Sequence, residues 1–352
     1  MKKIILTGGG TAGHVIPNLA LVPALKEAGF EIYYIGSKKG IEKELVEAAG
    51  LPYFGISSGK LRRYVSFKNI TDMFRVIKGL AGAARVLRKI KPDVVFSKGG
   101  FVVVPVIAAA KLLKIKSIIH ESDITPGLAN KLAMPFANKI CVSFPETLPY
   151  IPKDKAVLTG TPVRRELPEG SRNKGLKFTG IKGNRPVLLV TGGSLGAKAV
   201  NTAVRDAFPA IIKDFDIIHL CGKGNLSGIT ERGYKEFEYV SENMPDILAA
   251  ADIVVSRAGA NILFELAAIK KPNLLIPLTA KQSRGDQILN AESFKKQGLS
   301  MVLPEEELTT ERLVADIKEL YKNRKIFVQK MSELNVANGV ENIMRVILNL
   351  GC

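Results

Sequence analysis

The sequence predicts an α/β protein with two domains, each built on a parallel sheet. The first observation is the stretch Ile4–His14, in which an apolar segment runs into three consecutive glycines and then into a helical pattern. The second is the return of this arrangement at Pro186–Ala197, where residues 191–193 repeat the Thr-Gly-Gly of residues 7–9. The third is the length of 352 residues, which favours two domains over one. Strand, glycine turn and helix in this order are typical of Rossmann-like units, so we expect two Rossmann-like domains.

In the first unit, Ile4–Leu6 are apolar and β-favouring, which predicts a buried strand. The glycines between residues 8 and 13 match the spacing G-x-G-x-x-G, and one helix is expected from there to Gly29. Such a turn aims backbone N–H groups and the positive end of the helix dipole at an anion. A tight turn without a ligand is the alternative, because this spacing alone is a weak signal. His14 is unusual here because it places a titratable side chain beside the ligand.

Short apolar segments predict the remaining strands. In the first domain we expect strands at 31–35, 53–57, 93–97, 117–120, 139–142 and 156–158. In the second domain we expect further strands at 216–221, 236–240, 253–256, 273–276 and 300–302. The first domain is predicted to span residues 1–163 and the second residues 164–338, with a C-terminal helix in residues 339–352. Packing of that helix back on the first domain is one possibility.

The composition indicates which partners to expect. Lys and Arg number 51 against 33 Asp and Glu, so the net charge of +18 favours nucleic acid, an anionic membrane surface or phosphorylated substrates. Three cysteines without C-x-x-C spacing predict neither a disulfide framework nor a zinc knuckle, and suit a reducing, cytoplasmic compartment. No apolar run of about 18 residues occurs, and no signal peptide is expected at the N-terminus.

Residues 60–91 form a strongly basic segment in which only Asp72 is acidic. A helix over residues 70–89 would bring four basic residues near one face, namely Arg75, Lys78, Arg85 and Lys89. Apolar residues, Phe74 and Ile77 among them, would fall on the other face. An ordinary surface helix with its apolar side in the core explains this pattern. The alternative is a helix whose basic and apolar surfaces together contact a membrane.

Polar residues follow the ends of two predicted strands, at 97–100 and 120–123. In open α/β sheets the ligand crevice lies at those carboxyl ends. The dinucleotide signature is incomplete, because no acidic residue ends the second strand about 20 residues beyond the glycines, which argues against NAD. His14, His120 and His219 are far apart in sequence and join no cysteine cluster, so no metal site is expected and His219 is interpreted as structural. Neither a P-loop nor a nucleophile elbow is present.

Six motifs together resemble those of the MurG family, the bacterial peptidoglycan N-acetylglucosaminyltransferases. They are Gly9–His14, His120-Glu121, Gly160–Arg164, Gly192–Ala197, Arg257–Ala260 with Glu265, and Asp286-Gln287. The resemblance spans essentially the whole chain and implies a GT-B fold with the active site in the cleft between the domains. It implies transfer of N-acetylglucosamine from UDP-N-acetylglucosamine to the muramoyl sugar of undecaprenyl-diphospho-muramoyl-pentapeptide. The anomeric centre would invert, giving a β1→4 link, and neither a metal nor another cofactor would be needed.

The resemblance also implies how the donor is bound. Ser194 and the second glycine turn would hold the donor diphosphate, with Arg164 near it. Val240 would contact the uracil through its backbone, and Gln287 would bind the sugar hydroxyls. Glu265 would accept hydrogen bonds from the ribose, in a helical segment that flanks the nucleotide and comprises Ala260, Asn261, Ile262, Leu263, Phe264 and Glu265.

From the first domain, Thr11, Ala12 and Gly13 would line the cleft. Asp123 stands where many family members carry Asn, and it can accept the same hydrogen bonds but cannot donate. An inverting transfer needs a base for the acceptor hydroxyl, and His14 is our candidate because the unperturbed pKa of imidazole is about 6.5. A protonated His14 that holds the acceptor diphosphate is the competing role, and Glu121 and Asp123 are alternative bases.

The resemblance and the charge together predict a peripheral protein on the cytoplasmic face of the membrane. Its expected partners are the UDP-sugar, the lipid-linked acceptor and anionic inner-leaflet lipid, and nucleic acid is not expected. A different sugar transferase of the same fold, such as a diacylglycerol glucosyltransferase, is one alternative. A basic nucleic-acid or membrane-binding module is another, but it leaves His14 and the paired glycine turns unexplained.

Overall fold

A computed structural model describes residues 1–59, 68–193, 196–333 and 338–351, with side chains for these residues apart from 68–74. The chain divides into two compact units. Domain 1 comprises residues 1–164 and 338–352, and domain 2 comprises residues 165–337. Each is an α/β domain around one parallel sheet, so the predicted fold class is confirmed.

Domain 1 contains a seven-stranded sheet in the order β3-β2-β1-β4-β5-β6-β7. Its strands are β1 (Lys2–Thr7), β2 (Phe30–Ser37), β3 (Tyr53–Ile56), β4 (Val94–Ser97), β5 (Lys116–Glu121), β6 (Lys139–Val142) and β7 (Ala156–Leu158). The central strands are buried on both faces, which explains why they are continuous apolar runs in the sequence. The chain reverses its direction of strand addition between β1 and β4, and such a switch point is where open α/β sheets bind ligands.

Helices cover both faces of this sheet. They are α1 (Ala12–Ala20), α2 (Val22–Glu27), α3 (Ile41–Ala48), α4 (Lys68–Ile90), α5 (Val103–Leu112) and α6 (Leu128–Ala133), with α13 (Gly339–Leu350) at the C-terminal end. On one face, Leu87 of α4 and Val106 of α5 belong to a core cluster. On the other face, Val15 of α1 and Ile343 of α13 belong to a second cluster. The C-terminal helix therefore packs on domain 1.

The segment after the first glycine turn differs from the single helix predicted to reach Gly29. The structure has two helices, α1 and α2, with Leu21 between them. Pro23 explains the break, because proline has no N–H with which to continue the α-helical hydrogen bonds. The N–H of Leu21 bonds to the carbonyl of Asn18 at 3.2 Å, a tighter i−3 turn at this junction.

Domain 2 contains a six-stranded sheet in the order β10-β9-β8-β11-β12-β13. Its strands are β8 (Val187–Thr191), β9 (Asp216–Leu220), β10 (Tyr234–Phe237), β11 (Ile253–Ser256), β12 (Asn273–Leu275) and β13 (Met301–Val302). Its helices are α7 (Arg172–Thr179), α8 (Lys198–Ile211), α9 (Met244–Ala250), α10 (Ala260–Ala268), α11 (Asp286–Lys296) and α12 (Thr310–Glu333). The switch point here lies between β8 and β11, so the second glycine turn occupies the same topological position as the first.

The strand register brings the loops of each switch point together. In domain 1, Thr7 at the end of β1 pairs with Ser97 at the end of β4. In domain 2, Thr191 at the end of β8 pairs with Ser256 at the end of β11. Because the strands are parallel, each glycine turn lies beside the loop of the neighbouring strand.

Candidate active site

The first glycine turn already contains an anion supplied by the protein, the carboxylate of Glu42. Glu42 lies in the first turn of α3, and its Oε2 accepts from the N–H of Gly10 at 3.2 Å. Its Oε1 accepts from the N–H of Ser37 at 3.0 Å and also from the Ser37 hydroxyl. An added Cβ on Gly9 would come within 2.5 Å of this carboxylate, so glycine at position 9 permits the approach. The N–H of Gly10, which a phosphate would need, is therefore engaged by Glu42.

Glu42 is fully buried, and two opposed effects act on its pKa. Burial acts to raise the pKa, but hydrogen bonds from Ser37 and from the backbone of Gly10 outweigh it and lower the pKa. The carboxylate is therefore charged at neutral pH. The sequence analysis did not identify Glu42, because 32 residues separate it from the turn that it fills.

His14 lies in the first turn of α1, beside the loop that follows β4. Its Nδ1 is 3.0 Å from the Gly9 carbonyl and 3.3 Å from the Thr11 hydroxyl. A carbonyl can only accept, so Nδ1 carries the proton and Nε2 presents its lone pair. An added Cβ on Gly99 would lie 3.4 Å from Nε2, so the glycine at position 99 keeps that nitrogen uncovered. This geometry is the one that a general base requires.

The pKa of His14 is lowered from its ordinary value. Burial is the largest cause; the bond to the Gly9 carbonyl acts in the opposite direction, and the nearby charge of Lys98 lowers the pKa further. The imidazole is therefore neutral at neutral pH and can take a proton. The same shift weakens the competing role of His14, because a clamp for a diphosphate needs the protonated form.

Lys98 is a buried lysine at the carboxyl end of β4 and is 1% exposed. Its ammonium donates to Nδ1 of His120 at 2.8 Å and to the Ser122 hydroxyl. The Nε2–H of His120 in turn donates to the Gly160 carbonyl at 2.8 Å. Burial lowers the pKa of Lys98 to about 7, against the raising effect of Glu121 and Asp123. The lysine directly after a buried strand was the available sequence signal for this residue.

Glu121, the alternative base, is engaged by four donors. Its Oε1 accepts from the N–H groups of Ser122 and Asp123, and its Oε2 accepts from the N–H of Gly127 and from Asn130, all at 2.9–3.1 Å. Burial raises its pKa, as does the charge of Asp123. This bonding organises the loop after β5, and it favours a positioning role over proton transfer for Glu121. Asp123 lies half-buried in that loop, where its carbonyl accepts from Thr147.

The other predicted residues of the N-terminal part also belong to domain 1. Thr11 is exposed, and Ala12 and Gly13 are half-buried in the first turn of α1, beside His14. Arg164 is the last residue of the first segment of domain 1, one residue beyond the predicted boundary, and it is half-buried. Their roles toward a donor stay predictions.

In the described part of the second glycine turn, Gly193 has no close neighbour, whereas Gly9 at the corresponding position of the first turn approaches Glu42. Gly193 adopts a φ of +84°, and an added Cβ there would meet no atom within 4 Å. The N–H of Gly196 closes the turn on the Gly193 carbonyl at 2.9 Å, and α8 begins at Lys198. Ser194, the predicted ligand of the diphosphate, lies outside the described residues. Among residues 191–193 and 196–197, no acidic side chain is present to fill the turn.

Gln287 joins the loops after β11 and β12, which lie at the same edge of the domain 2 sheet as the glycine turn after β8. Its Oε1 accepts from the N–H of Ala258, after β11, at 3.3 Å and from the N–H of Leu278, after β12, at 3.1 Å. These bonds fix the orientation of the amide, so its NH₂ group is the part that can donate to a sugar. Arg257 stabilises the same two loops. Its buried guanidinium donates to the Ile276 carbonyl at 3.1 Å and pairs with Glu305.

The predicted donor-binding residues of helix α10 differ in how far their side chains are exposed. Leu263 is fully buried and Phe264 packs edge-on against Phe294, with ring centroids 5.5 Å apart. Their side chains therefore belong to the core and could reach a nucleotide only through the backbone. Asn261, Ile262 and Glu265 are half-buried, Ala260 is buried, and Val240 is buried three residues beyond the end of β10. The strand predicted at 236–240 corresponds to β10, which spans Tyr234–Phe237 and therefore begins two residues and ends three residues earlier than predicted.

A second group of titratable residues lies between β9 and β10. Ligand atoms of His219, Cys221 and Glu236 all fall within 4.8 Å of one another, a proximity that their positions in the sequence do not reveal. The guanidinium of Arg205 donates to Glu236 at 2.8 Å and to Cys221 at 3.5 Å, and its charge opposes a metal cation there. His219 bonds to Tyr234 and to Asn201, as its predicted structural role requires.

The basic helix α4 exposes both basic and apolar side chains. Arg75, Lys78, Arg85 and Lys89 are exposed, while Ala83, Leu87 and Ile90 are buried. Ile77 is 57% exposed, so the apolar face of α4 is not completely covered by the core of domain 1. Phe74 belongs to the helix, but its side chain lies outside the described ones. The exposed side of α4 therefore combines four cations with an isoleucine.

Two doubly wound domains, each with a glycine turn at the switch point of its sheet, are typical of glycosyltransferases of the GT-B fold. The N-terminal domain profile of glycosyltransferase family 28 matches residues 4–142, and its C-terminal domain profile matches residues 187–347. The chain therefore belongs to glycosyltransferase family 28. The resemblance found in the motifs is thereby confirmed.

Relatives and solved structures agree with this assignment. A Clostridium botulinum (strain 657) protein is 58% identical over 349 residues, 99% of either chain. A Clostridium perfringens (strain ATCC 13124) protein is 57% identical over 347 residues, 98% of this chain and 97% of its own. Each is named a UDP-N-acetylglucosamine–N-acetylmuramyl-(pentapeptide) pyrophosphoryl-undecaprenol N-acetylglucosamine transferase. The crystal structure of Acinetobacter baumannii MurG superposes with a TM-score of 0.74 at 23% identity, covering 99% of this chain and 100% of that one, which shows the shared fold.

Proposed function

We propose that this chain transfers N-acetylglucosamine from UDP-N-acetylglucosamine to the muramoyl sugar of undecaprenyl-diphospho-muramoyl-pentapeptide, a step of peptidoglycan synthesis. Relatives at 57–58% identity over nearly the whole chain are named for this transfer. The structural observation that carries the proposal is the orientation of His14. Its protonated Nδ1 is held by the Gly9 carbonyl, and its Nε2 is left as an acceptor beside the ligand-binding edge of domain 1.

In this mechanism His14 is the general base. The acceptor hydroxyl gives its proton to Nε2 while its oxygen attacks the anomeric carbon of the donor sugar. The bond from that carbon to the UDP oxygen breaks, and UDP leaves with the electron pair. Attack opposite the leaving group inverts the anomeric centre. Lys98, Glu121 and Asn130 organise the neighbouring loops and do not take up the proton.

The donor is proposed to bind domain 2. The open turn after β8 and the N-terminus of α8 offer N–H groups and a helix dipole to the diphosphate. Gln287 offers its NH₂ to the sugar, and Glu265 is proposed to accept from the ribose. The first glycine turn supports the assignment of the donor to domain 2, because its Gly10 N–H already donates to Glu42 and is not available to a phosphate.

We propose that the protein attaches peripherally to the cytoplasmic face of the membrane through α4. In the described part of the chain, no helix is both long and apolar enough to cross a bilayer. The exposed cations of α4 would contact anionic headgroups, and Ile77, with Phe74 as predicted from the sequence, would insert among them.

Purified protein should be incubated with UDP-N-acetylglucosamine and the lipid-linked muramoyl acceptor. The expected product is larger than the acceptor by one N-acetylglucosamine residue by mass, with one UDP released per product. Diacylglycerol serves as the control acceptor. Glycosylated diacylglycerol in place of the muramoyl product, or UDP release that does not depend on either acceptor, would refute the proposal.

A further inference from the structure

Domain 2 contains a second concave site, away from the proposed donor edge. A cavity of about 400 Å³ is bordered by Asp252, which precedes β11, and by Lys271 and Pro272, which precede β12. The strands of this sheet are parallel. The cavity therefore lies at the amino edge of the sheet, whereas Gln287 and the N-terminus of α10 lie at the carboxyl edge.

The lining of this cavity is strongly basic. Five of its side chains are cationic, namely Arg172, Lys270, Lys271, Arg324 and Lys325. Among the described residues, Asp252 is the only carboxylate that lines it. Asp252 is already engaged, because Arg172 donates to both of its oxygens at 3.2–3.3 Å and the N–H of Val187 donates at 2.7 Å. Five basic side chains thus line the cavity against one carboxylate, which is already bound.

Lys271 is the cation least well compensated. Its ammonium donates to the backbone carbonyls of Ala251 and, at 3.5 Å, Ala249, which are neutral acceptors. Burial lowers its pKa to about 8; Asp252 acts to raise the pKa and Arg172 to lower it. A half-buried ammonium without a carboxylate partner is costly, and an anion in the cavity would relieve that cost.

Arg324 is held in a fixed orientation at the same cavity. Its guanidinium lies 4.0 Å from the centre of the Tyr321 ring, and its Nη1 donates to the Tyr321 carbonyl at 2.8 Å. A guanidinium immobilised in this way loses little entropy when it binds a phosphate through two of its N–H groups. Lys270 and Lys325 are exposed, and they would complete the site from its solvent side.

We propose that this cavity is a second anion site, selective for a ligand that carries at least two phosphate charges and distinct from the nucleotide donor. A water molecule occupies about 30 Å³ in the liquid, so the cavity has room for about a dozen waters and accommodates a pyrophosphate. Small-molecule pockets are lined predominantly by apolar side chains, whereas six of the eleven residues that line this cavity are charged, which favours an inorganic or headgroup phosphate over an apolar ligand. The inference does not depend on the proposed reaction.

The test uses the full chain with UDP at saturation, so that the donor site is occupied. Calorimetry would measure inorganic pyrophosphate binding to the wild type and to the double variant Lys270→Asn/Lys325→Gln. Position 270 has a φ of +55°, a conformation that asparagine tolerates better than most residues, so this variant should fold normally. The matched control is Lys235→Gln/Lys322→Gln, which removes two exposed lysines of domain 2 outside the cavity.

We expect pyrophosphate to bind the wild type and the double variant to bind about tenfold more weakly, with a change below about twofold in the control. A parallel measurement compares vesicles of cardiolipin, which carries two phosphates, with vesicles of phosphatidylcholine. All proteins in it also carry Gln at positions 75, 78, 85 and 89, so that α4 does not contribute. If the cavity variant loses only pyrophosphate binding, the ligand is soluble; if it loses only cardiolipin binding, the ligand is a lipid headgroup. Equal loss in the control variant, or no binding of either phosphate source, would overturn the proposal.

Discussion

The two glycine turns begin with the same three residues, yet the protein uses them differently. After β1 the turn receives the buried carboxylate of Glu42, and His14 follows at the start of α1. In the described part of the turn after β8, no atom lies within 4 Å of a Cβ added to Gly193, and no residue carries a titratable side chain. The backbone motif alone therefore does not define an anion site. We propose that the group that fills the turn decides whether that edge binds a phosphate or positions a base.

The largest expected effect is that of removing the base. His14→Ala should lower kcat by about 10²–10⁴-fold, which is the usual contribution of general base catalysis. UDP affinity, measured by calorimetry, should stay unchanged because domain 2 is intact. A raised acceptor KM with nearly normal kcat would instead assign His14 to the acceptor diphosphate. Full activity in this variant would move the base to Glu121 or Asp123.

The pH dependence of the same step follows from the lowered pKa of His14. A base must be neutral to act, so kcat/KM should fall as the pH drops through the pKa of His14 in the free enzyme. Because burial lowers that pKa, we expect the acid limb below pH 6.5. A limb centred above this value would contradict the assignment of His14 as the base.

Membrane attachment tests a second property of domain 1. Replacing Arg75, Lys78, Arg85 and Lys89 by Gln should abolish most binding to anionic vesicles at low salt, since each basic residue contributes about 1 kcal/mol there. Binding of the wild type should also fall as ionic strength rises. Activity on a detergent-solubilised acceptor serves as the control, because the site itself is untouched. Equal binding to neutral and anionic vesicles would exclude the electrostatic part of the proposal.

The donor side is tested by Glu265→Ala. Losing a hydrogen bond to a charged acceptor costs about 1.5–3 kcal/mol, so UDP affinity should fall by about 10- to 150-fold. Vesicle binding should be unaffected, because α4 belongs to domain 1. Unchanged UDP affinity in a folded Glu265→Ala protein would refute the proposed placement of the ribose.

The sequence predicted the strand–turn–helix units because their signals are local. A strand buried on both faces is an apolar run, and glycine marks the turn that follows it. The break at Leu21 was equally local, since Pro23 is visible in the sequence. The contacts of Glu42 with Gly10 and of Lys98 with His120 were not predictable in this way. They join residues 32 and 22 positions apart, and only the strand register brings them together.

The sequence left open whether Ile77 faces the core or the outside of domain 1, for a related reason. Helical periodicity places a residue on a face, but it does not say how much of that face the neighbouring elements cover. In α4 the buried strip is narrow and is formed by small or aliphatic residues such as Ala83 and Leu87. The group of His219, Cys221 and Glu236 shows the same limit, because pairing of β9 with β10 creates it.

The smallest effect on activity is expected from Glu236, whose role is in the stability of domain 2. Burial acts to raise the pKa of Glu236, but hydrogen bonds from Tyr234, Ser227 and Arg205 together lower it from 4.5 to about 2. A carboxylate with a lowered folded-state pKa stabilises the protein above its unfolded pKa, and this contribution is lost as the pH falls from about 4.5 toward 2. Glu236→Gln keeps the shape of the side chain but removes the charge that Arg205 pairs with.

The variant should therefore be less stable than the wild type by about 1–3 kcal/mol at pH 7, measured by urea unfolding. The difference in free energy of unfolding should narrow as the pH is lowered from 5 to 3, because Glu236 takes up a proton in the unfolded wild type there while it stays charged in the folded protein, and the variant has no such group. Lys318→Gln is a suitable control, since Lys318 pairs with Asp214 and the side chains of both residues are exposed, at 54% and 50%. A difference that stays constant with pH would show that Glu236 stabilises domain 2 through packing and neutral hydrogen bonds, without its charge.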